Sequence, residues 1–208
     1  MTVRHLLLDA DDVVQVGFGP FRPVLGEVFG EDPTGWLRAT LDPGAGVLDG
    51  GTPVLPLLAQ RLRELGRQDD PQELYDRLWL TISPDPSVLS QIGRWRASGL
   101  TVHLATNQDS GRAAYMKTAL GYDAVLDGGY YSSDLGVAKP AAGFFEAVLH
   151  DLGAEPDAVC FVDDMAVNVA GARQVGIRAV QWELDHGLPA LADLLAAHGI
   201  SADAPGTP

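Results

Sequence analysis

Five short apolar runs, "RHLLLD", "TVHLAT", "DAVL", "AVCFVD" and "IRAVQW", dominate what this chain can fold into. Each is only a few residues long and rich in aliphatic or β-branched side chains, as expected of parallel strands buried on both faces. Amphipathic patterns with helix punctuation separate most of them. "NQDSGRAAYMKTALG" ends in Gly121, "KPAAGFFEAVLHDLG" has Pro140 near its start and Gly153 at its end, and "NVAGARQVG" and "LPALADLLAAHG" follow. Strands alternating with helices build an α/β fold around a doubly wound, five-stranded parallel sheet.

The alternation stops between about Gly17 and Ser83. This stretch holds no convincing strand. It holds helix starts of one repeated kind, with Asp32, Asp70 and Asp85 each followed by Pro. An aspartate caps the orphan amides, and proline suits the first helical turn. "GTPVLPLLAQRLRELG" supplies a further helix. The expected layout is a core formed by residues 1–16 and 84–200, a helical module at 17–83 inserted after the first strand, and a disordered tail at 201–208.

A formal net charge of -14 argues against a nucleic-acid partner, whose phosphates call for Lys and Arg, and against an anionic membrane surface. Cys160 is the only cysteine, so neither an intrachain disulfide nor a cysteine zinc site is expected. No apolar run approaches the roughly 18 residues of a membrane span. The N-terminus meets a strand within a few residues, which leaves no room for a signal peptide. A cytoplasmic monomer or homodimer is expected.

In open α/β sheets, ligands bind beyond the carboxyl ends of the strands. The residues there are polar. The first strand ends at Asp9, with Asp11 two residues on and Asp12 next. The second ends at Thr106 and Asn107. Lys139 follows the polar loop "SSDLGVAK". The fourth ends at Asp163 and Asp164, with Asn168 shortly after. Carboxylates clustered at one sheet edge repel unless a cation neutralises them. Oxygen-only ligands suit Mg²⁺, which binds through one or two carboxylates plus a substrate phosphate. A carboxylate can also attack phosphorus, and a lysine and helix N-termini hold anions. Together these groups are equipment for phosphoryl transfer.

This order of motifs, an apolar strand then D-x-D, a strand then T-N, a lysine, and a strand then D-D, resembles the haloacid dehalogenase superfamily over residues 1–16 and about 90–183. "GVAKP" and "FVDDMAVNVAGARQVGI" look most like its sugar-phosphatase branch, which includes the N-terminal phosphatase domain of epoxide hydrolases. The resemblance implies a Rossmann-like core, a helical cap at 17–83, Mg²⁺ as cofactor and a small phosphorylated metabolite as substrate. It implies that Asp9 forms an aspartyl-phosphate, and that Asp11 protonates the leaving oxygen and then activates water. Mg²⁺ would be held by Asp9, the Asp11 carbonyl and Asp164, with Asp163 close by. Thr106 and the Asn107 backbone would bind the phosphoryl oxygens, and Lys139 would balance the charge. Nearby negative charge is expected to raise the pKa of Asp11 into the range of an acid. Asp12 stands where the family commonly has Gly, so its turn needs a conformation that Asp tolerates better than most residues.

Other readings compete. Thr106 and Asn107 also suit helix capping, and Asn168 suits a role in fixing a neighbouring carboxylate. The five histidines show no metal-ligand spacing, with His5 and His103 in predicted strands. Trp36 and Trp79 are expected in the core of the insertion, and Arg22 and Arg38 lie on it. "GAGVLDGG" follows no strand and is read as a loop rather than a dinucleotide site. There is no P-loop and no G-x-S-x-G. Besides a Mg²⁺-dependent phosphatase, the same aspartates suit a phosphosugar mutase. A dehalogenase would use the nucleophile on carbon, and Asp11 with the Asp163–Asp164 pair argues against it. A non-enzymatic binding module would be expected to lack at least one motif.

Overall fold

The computed structural model describes residues 2–17, 22–30, 32 and 34–201. Its central strand is β1 (His5–Leu8). The chain then makes a two-residue strand β2 (Gln15–Val16) and enters four helices, α1 (Arg22–Phe29), α2 (Gly35–Thr40), α3 (Val54–Glu64) and α4 (Pro71–Trp79). It returns through β3 (Ser83–Pro84), which pairs antiparallel with β2. Alternation resumes with α5 (Pro86–Ala97), β4 (Thr101–Thr106), α6 (Ser110–Ala119), β5 (Gly128–Tyr131), α7 (Ser132–Leu135), α8 (Ala142–Leu152), β6 (Val159–Asp163), α9 (Ala166–Gln174), β7 (Arg178–Gln181) and α10 (Gly187–Ala196).

The main sheet has the order β5-β4-β1-β6-β7 and is parallel throughout. β1 lies between β4 and β6, with His5 opposite Thr101 on one side and Val159 on the other. Leu6, Leu7 and Leu8 are fully buried because helices cover both faces. Side chains alternate between the two layers. Leu6 and Leu8 pack with Val102, Leu104, Cys160 and Val162, whereas Leu7 packs with Phe144, Phe145 and Phe161. The sheet therefore carries Asp9, Thr106 and Asp163 at one edge, because each lies at the carboxyl end of one of three adjacent strands.

The inserted helices have a core of their own, made of Leu25, Leu58, Leu62, Leu74, Leu78 and Trp79 among others. Trp36 stacks on Phe29 at 4.9 Å and meets the edge of Trp79 at 6.0 Å, so Trp79 sits in that core and the half-buried Trp36 packs against it. Asp70 accepts from the amides of Gln72 and Glu73, and Asp85 from those of Ser87 and Val88, with Pro71 and Pro86 opening the helices. Asp32 accepts from Gly35 N, but Pro33 lies outside the described residues. The insertion touches the sheet domain closely. A Cβ at Gly50 would lie 2.6 Å from the Ser133 carbonyl oxygen, and one at Gly111 would lie 2.5 Å from the Tyr75 hydroxyl.

One expected strand is misplaced. "DAVL" is not a strand: Tyr122–Ala124 forms a 3₁₀ turn, closed by Val125 N and Leu126 N donating to the Tyr122 carbonyl. The edge strand is the next segment, "GGYY", which pairs with β4 from His103 to Thr106. Its glycines hide it from a hydrophobicity reading. Pro140 does lie near the start of a helix, just before α8 begins at Ala142. The expected tail lies outside the described residues from residue 202 onward. Among the described residues no helix is long and apolar enough to cross a membrane.

Candidate active site

Asp9 extends β1 by one residue, its amide bonded to the Val162 carbonyl at 2.9 Å. Asp163 ends the neighbouring strand β6, and Asp164 follows it. Carboxylate oxygens of Asp9, Asp163 and Asp164 all lie within 4.8 Å of one another, the one such metal-capable group among the described residues. A single cation fits that spacing, and an all-oxygen donor set suits a hard ion such as Mg²⁺. Protein charges alone neutralise the cluster only in part. Burial, opposed by Lys139 and reinforced by Asp163, pushes Asp9 up to about 8. Burial, Asp163 and Asp12 push Asp164 up to about 6.

The three acids are not equivalent. Asp163 is fully buried and already heavily used. It accepts from Lys139 Nζ at 2.6 Å, from the Met165 amide at 2.8 Å, and from Asn168 Nδ2 at 3.0 and 3.1 Å. Lys139 is itself buried and also reaches Asp9 Oδ1 at 3.0 Å. The backbone of Lys139 is gripped from both sides by Asn107, whose Nδ2 donates to the Lys139 carbonyl and whose Oδ1 accepts from the Lys139 amide, each at 2.9 Å. So Asn168 and the side chain of Asn107 do positional work. The first fixes a carboxylate and the second fixes the lysine.

Helix α9 seats the same lysine. A Cβ at Gly171 would lie 2.4 Å from the Pro140 carbonyl oxygen and 3.0 Å from Pro140 Cβ. The backbone contact cannot be relieved by rotating a side chain, so Gly171→Ala is expected to displace the Lys139–Pro140 segment. The expected cost is about 1–3 kcal/mol of overpacking, read as a lowered midpoint in urea. An unchanged midpoint would mean that α9 can slide freely away from this loop.

Asp11 stands apart from the cluster. Its carboxylate accepts from both terminal nitrogens of Arg112, with Nη2–Oδ1 at 2.8 Å, and from Gln15 Nε2 at 2.8 Å and Gln108 Nε2 at 2.9 Å. Although burial pushes upward, the Arg112 guanidinium and these donors hold the Asp11 carboxyl below its ordinary range. This corrects the expectation that surrounding negative charge would raise Asp11. The bidentate arginine outweighs the more distant acids. Arg112 and Gln108 were not picked out from the sequence. Arg112 lies five residues beyond the T-N pair, in the first turn of α6, with no local signal in the sequence that links it to Asp11. Gln108 also donates to Thr106 Oγ1 at 3.0 Å, which joins the second strand end to Asp11.

Asp12 adopts φ 59, the left-handed conformation for which Gly is the usual choice. Its own carboxylate stabilises the turn by accepting from Gly17 N at 2.9 Å, a local bond open to Asp but not to most residues.

Comparisons with known proteins bear on the fold and the family. Enolase-phosphatase E1 of Gluconacetobacter diazotrophicus is 32% identical over 98 residues, 46% of this chain and 41% of that protein. (S)-2-haloacid dehalogenase 4A of Burkholderia cepacia is 27% identical over 116 residues, 54% of this chain and 50% of that protein. The chain thus spans half or less of the length of these curated relatives. A HAD family enzyme from Bacteroides thetaiotaomicron superposes with a TM-score of 0.77 at 17% identity, covering 92% of this chain and 98% of that one. Another of its crystal structures holds magnesium and inorganic phosphate. At such identity the likeness speaks for the fold. The family model for haloacid dehalogenase-like hydrolases matches residues 23–176. That span takes in most of the helical insertion together with Thr106–Asn107, Lys139 and Asp163–Asp164, and the chain belongs to the haloacid dehalogenase-like hydrolase family.

Proposed function

We propose that this protein is a Mg²⁺-dependent phosphatase that hydrolyses a small phosphomonoester, such as a sugar phosphate, through an aspartyl-phosphate on Asp9. The observation that carries the reading is the carboxylate trio around Asp9 with its buried lysine. A carboxylate that attacks carbon and expels a halide has no need of two further acids beside it. One that attacks a phosphate dianion needs a cation to bring the two charges together. In this reading Asp9, Asp164 and the Asp11 carbonyl would hold Mg²⁺, which supplies charge neutralisation to the phosphoryl group. Asp163 serves mainly to hold Lys139.

Asp9 attacks phosphorus in line and the bond to the leaving oxygen breaks. Thr106 and the Asn107 backbone orient the phosphoryl oxygens, and Lys139 offsets their charge. Water then attacks the phosphorus of the acyl phosphate, Asp11 takes its proton, and phosphate departs with Asp9 restored. The carboxylate form in which Arg112 holds Asp11 is the form this second step needs. Protonating the alkoxide of a sugar phosphate requires Asp11 to take up a proton first, an uptake that the negative charge of a bound phosphoryl group favours. The helices at 17–83 would form the cap that selects the substrate, and the protein would act in the cytoplasm.

The same ion pair favours a second reading, dehalogenation of a haloacid, because a halide departs unprotonated. The two separate cleanly. We expect phosphate release from a panel of phosphomonoesters to require Mg²⁺ and to vanish on chelation, with no halide released from 2-haloacids. Saturating Mg²⁺ at about 100 times its Kd should add roughly 2.7 kcal/mol, or about 5–10 °C in Tm for a chain of this size. Halide release that survives chelation would reject the phosphatase.

A further inference from the structure

Arg112 belongs neither to the acidic trio nor to the lysine clamp, yet it is among the largest fully buried side chains of the protein. Its donors divide between two parts of the molecule. Nη1 and Nη2 grip Asp11, and Nη1 also donates to Gln108 Oε1 at 2.9 Å. Nε donates to the carbonyl of Trp79, the last residue of α4, at 2.8 Å. A guanidinium is a rigid planar fork, so displacement of one edge moves the other.

The surroundings make this a joint between the insertion and the sheet domain. One turn before Trp79, the Tyr75 hydroxyl donates to Asp109 at 2.8 Å, and Asp109 caps α6 three residues before Arg112. Helix α4 is thus docked on the first turn of α6 by two bonds. Gln15, the other side chain that reaches Asp11 from near the insertion, lies in β2 and is held by the Tyr122 hydroxyl at 2.5 Å. It is neutral and supplies one donor, whereas Arg112 supplies a charge and two.

We propose that Arg112 is a positioning residue that ties Asp11 to the seating of the helical insertion, because the guanidinium that grips the Asp11 carboxylate is also held by the Trp79 carbonyl. The tie rests on the phosphatase reading for its use in catalysis, but its existence does not. A ligand that shifts α4 would move Arg112, and through it the group that activates water. Arg112 itself touches no reacting atom.

Two measurements on the full chain test this. The first is hydrogen–deuterium exchange of wild type, Arg112→Lys and Asp11→Asn. The joint predicts several-fold faster exchange over residues 79–82 in both variants, with α3 unchanged. Asp11→Asn is the decisive variant, because the Asp11 side chain reaches α4 through Arg112. Wild-type exchange over 79–82 in that variant would overturn the proposal. The second is single-turnover kinetics with p-nitrophenyl phosphate and Mg²⁺. With Asp11 loosened, Arg112→Lys should still form the phosphoenzyme but hydrolyse it slowly. This gives a burst followed by a kcat about 10²-fold lower, the scale of general-base assistance, at a KM within about threefold of wild type. A loss of kcat without a burst would make Arg112 a structural residue and would equally overturn the proposal. Absence of phosphate release from the wild type would reject the phosphatase reading alone, and the exchange experiment would still decide the tie.

Discussion

Asp9→Asn is expected to abolish phosphatase turnover while leaving the fold intact. The carboxamide has nearly the shape of the carboxylate but no anionic oxygen to attack phosphorus, so no phosphorylated protein should be trapped from any substrate. Loss of a nucleophile or of its activating partner costs on the order of 10⁴–10⁶-fold in other covalent hydrolases, and a fall of that size is expected here. Stability should move the other way or not at all. Asp9 is buried beside Asp163, and its carboxyl is held up to about 8, which marks the anion as disfavoured in this setting. Lys139 would keep its 2.6 Å bond to Asp163. Intact-mass analysis of acid-quenched protein and a urea titration would read the two effects separately. Turnover within tenfold of wild type would sink the covalent mechanism.

Lys139→Met is expected to have the largest effect on stability. Its Nζ sits between Asp9 and Asp163, with the lysine and Asp163 side chains at 0% exposure. Methionine fills similar space but leaves the two carboxylates without their cation. Removing one partner of a buried ion pair typically costs about 3–5 kcal/mol. The Asn168 and Met165 donors to Asp163 soften the loss without replacing the charge. Because the missing charge can be supplied from solution, saturating Mg²⁺ should recover a larger share of stability in this variant than it adds to wild type. Denaturant titrations with and without Mg²⁺ make the comparison. A variant as stable as wild type in the absence of metal would show that Lys139 contributes little to neutralising the cluster.

The strand ends were legible because their signals are local. Leu6 to Leu8 followed by Asp9, or "CFV" followed by Asp163, places an acid at the mouth of a buried strand with no knowledge of the rest of the chain. The caps at Asp70 and Asp85 were legible for the same reason. The unusual backbone at Asp12 was foreseen from the turn that the motif requires. Arg112 was not visible, because its meaning comes from Asp11, 101 residues away. In "SGRAAYMKTA" it reads as an ordinary helical arginine. The Asp11 error follows from that omission, since counting acids without the arginine gives the wrong direction. β5 was missed because its order comes from pairing with β4 rather than from its own composition, and two of its four residues are glycine.

The placement of β1 has a consequence for biosynthesis. The strand that anchors Asp9 is near the start of the chain yet occupies the centre of the sheet, between partners that are made much later. Thr101 follows His5 by 96 residues and Val159 by 154. At a ribosomal pace of 5–20 residues per second, β1 waits roughly 8–30 s for its second neighbour. Its three consecutive leucines stay without a sheet during that time. The inserted helices, which carry their own apolar centre, are complete well before then. The nascent chain therefore completes its helical insertion before the strand that carries Asp9 has any edge to join, and until then early helix packing is the cover open to β1.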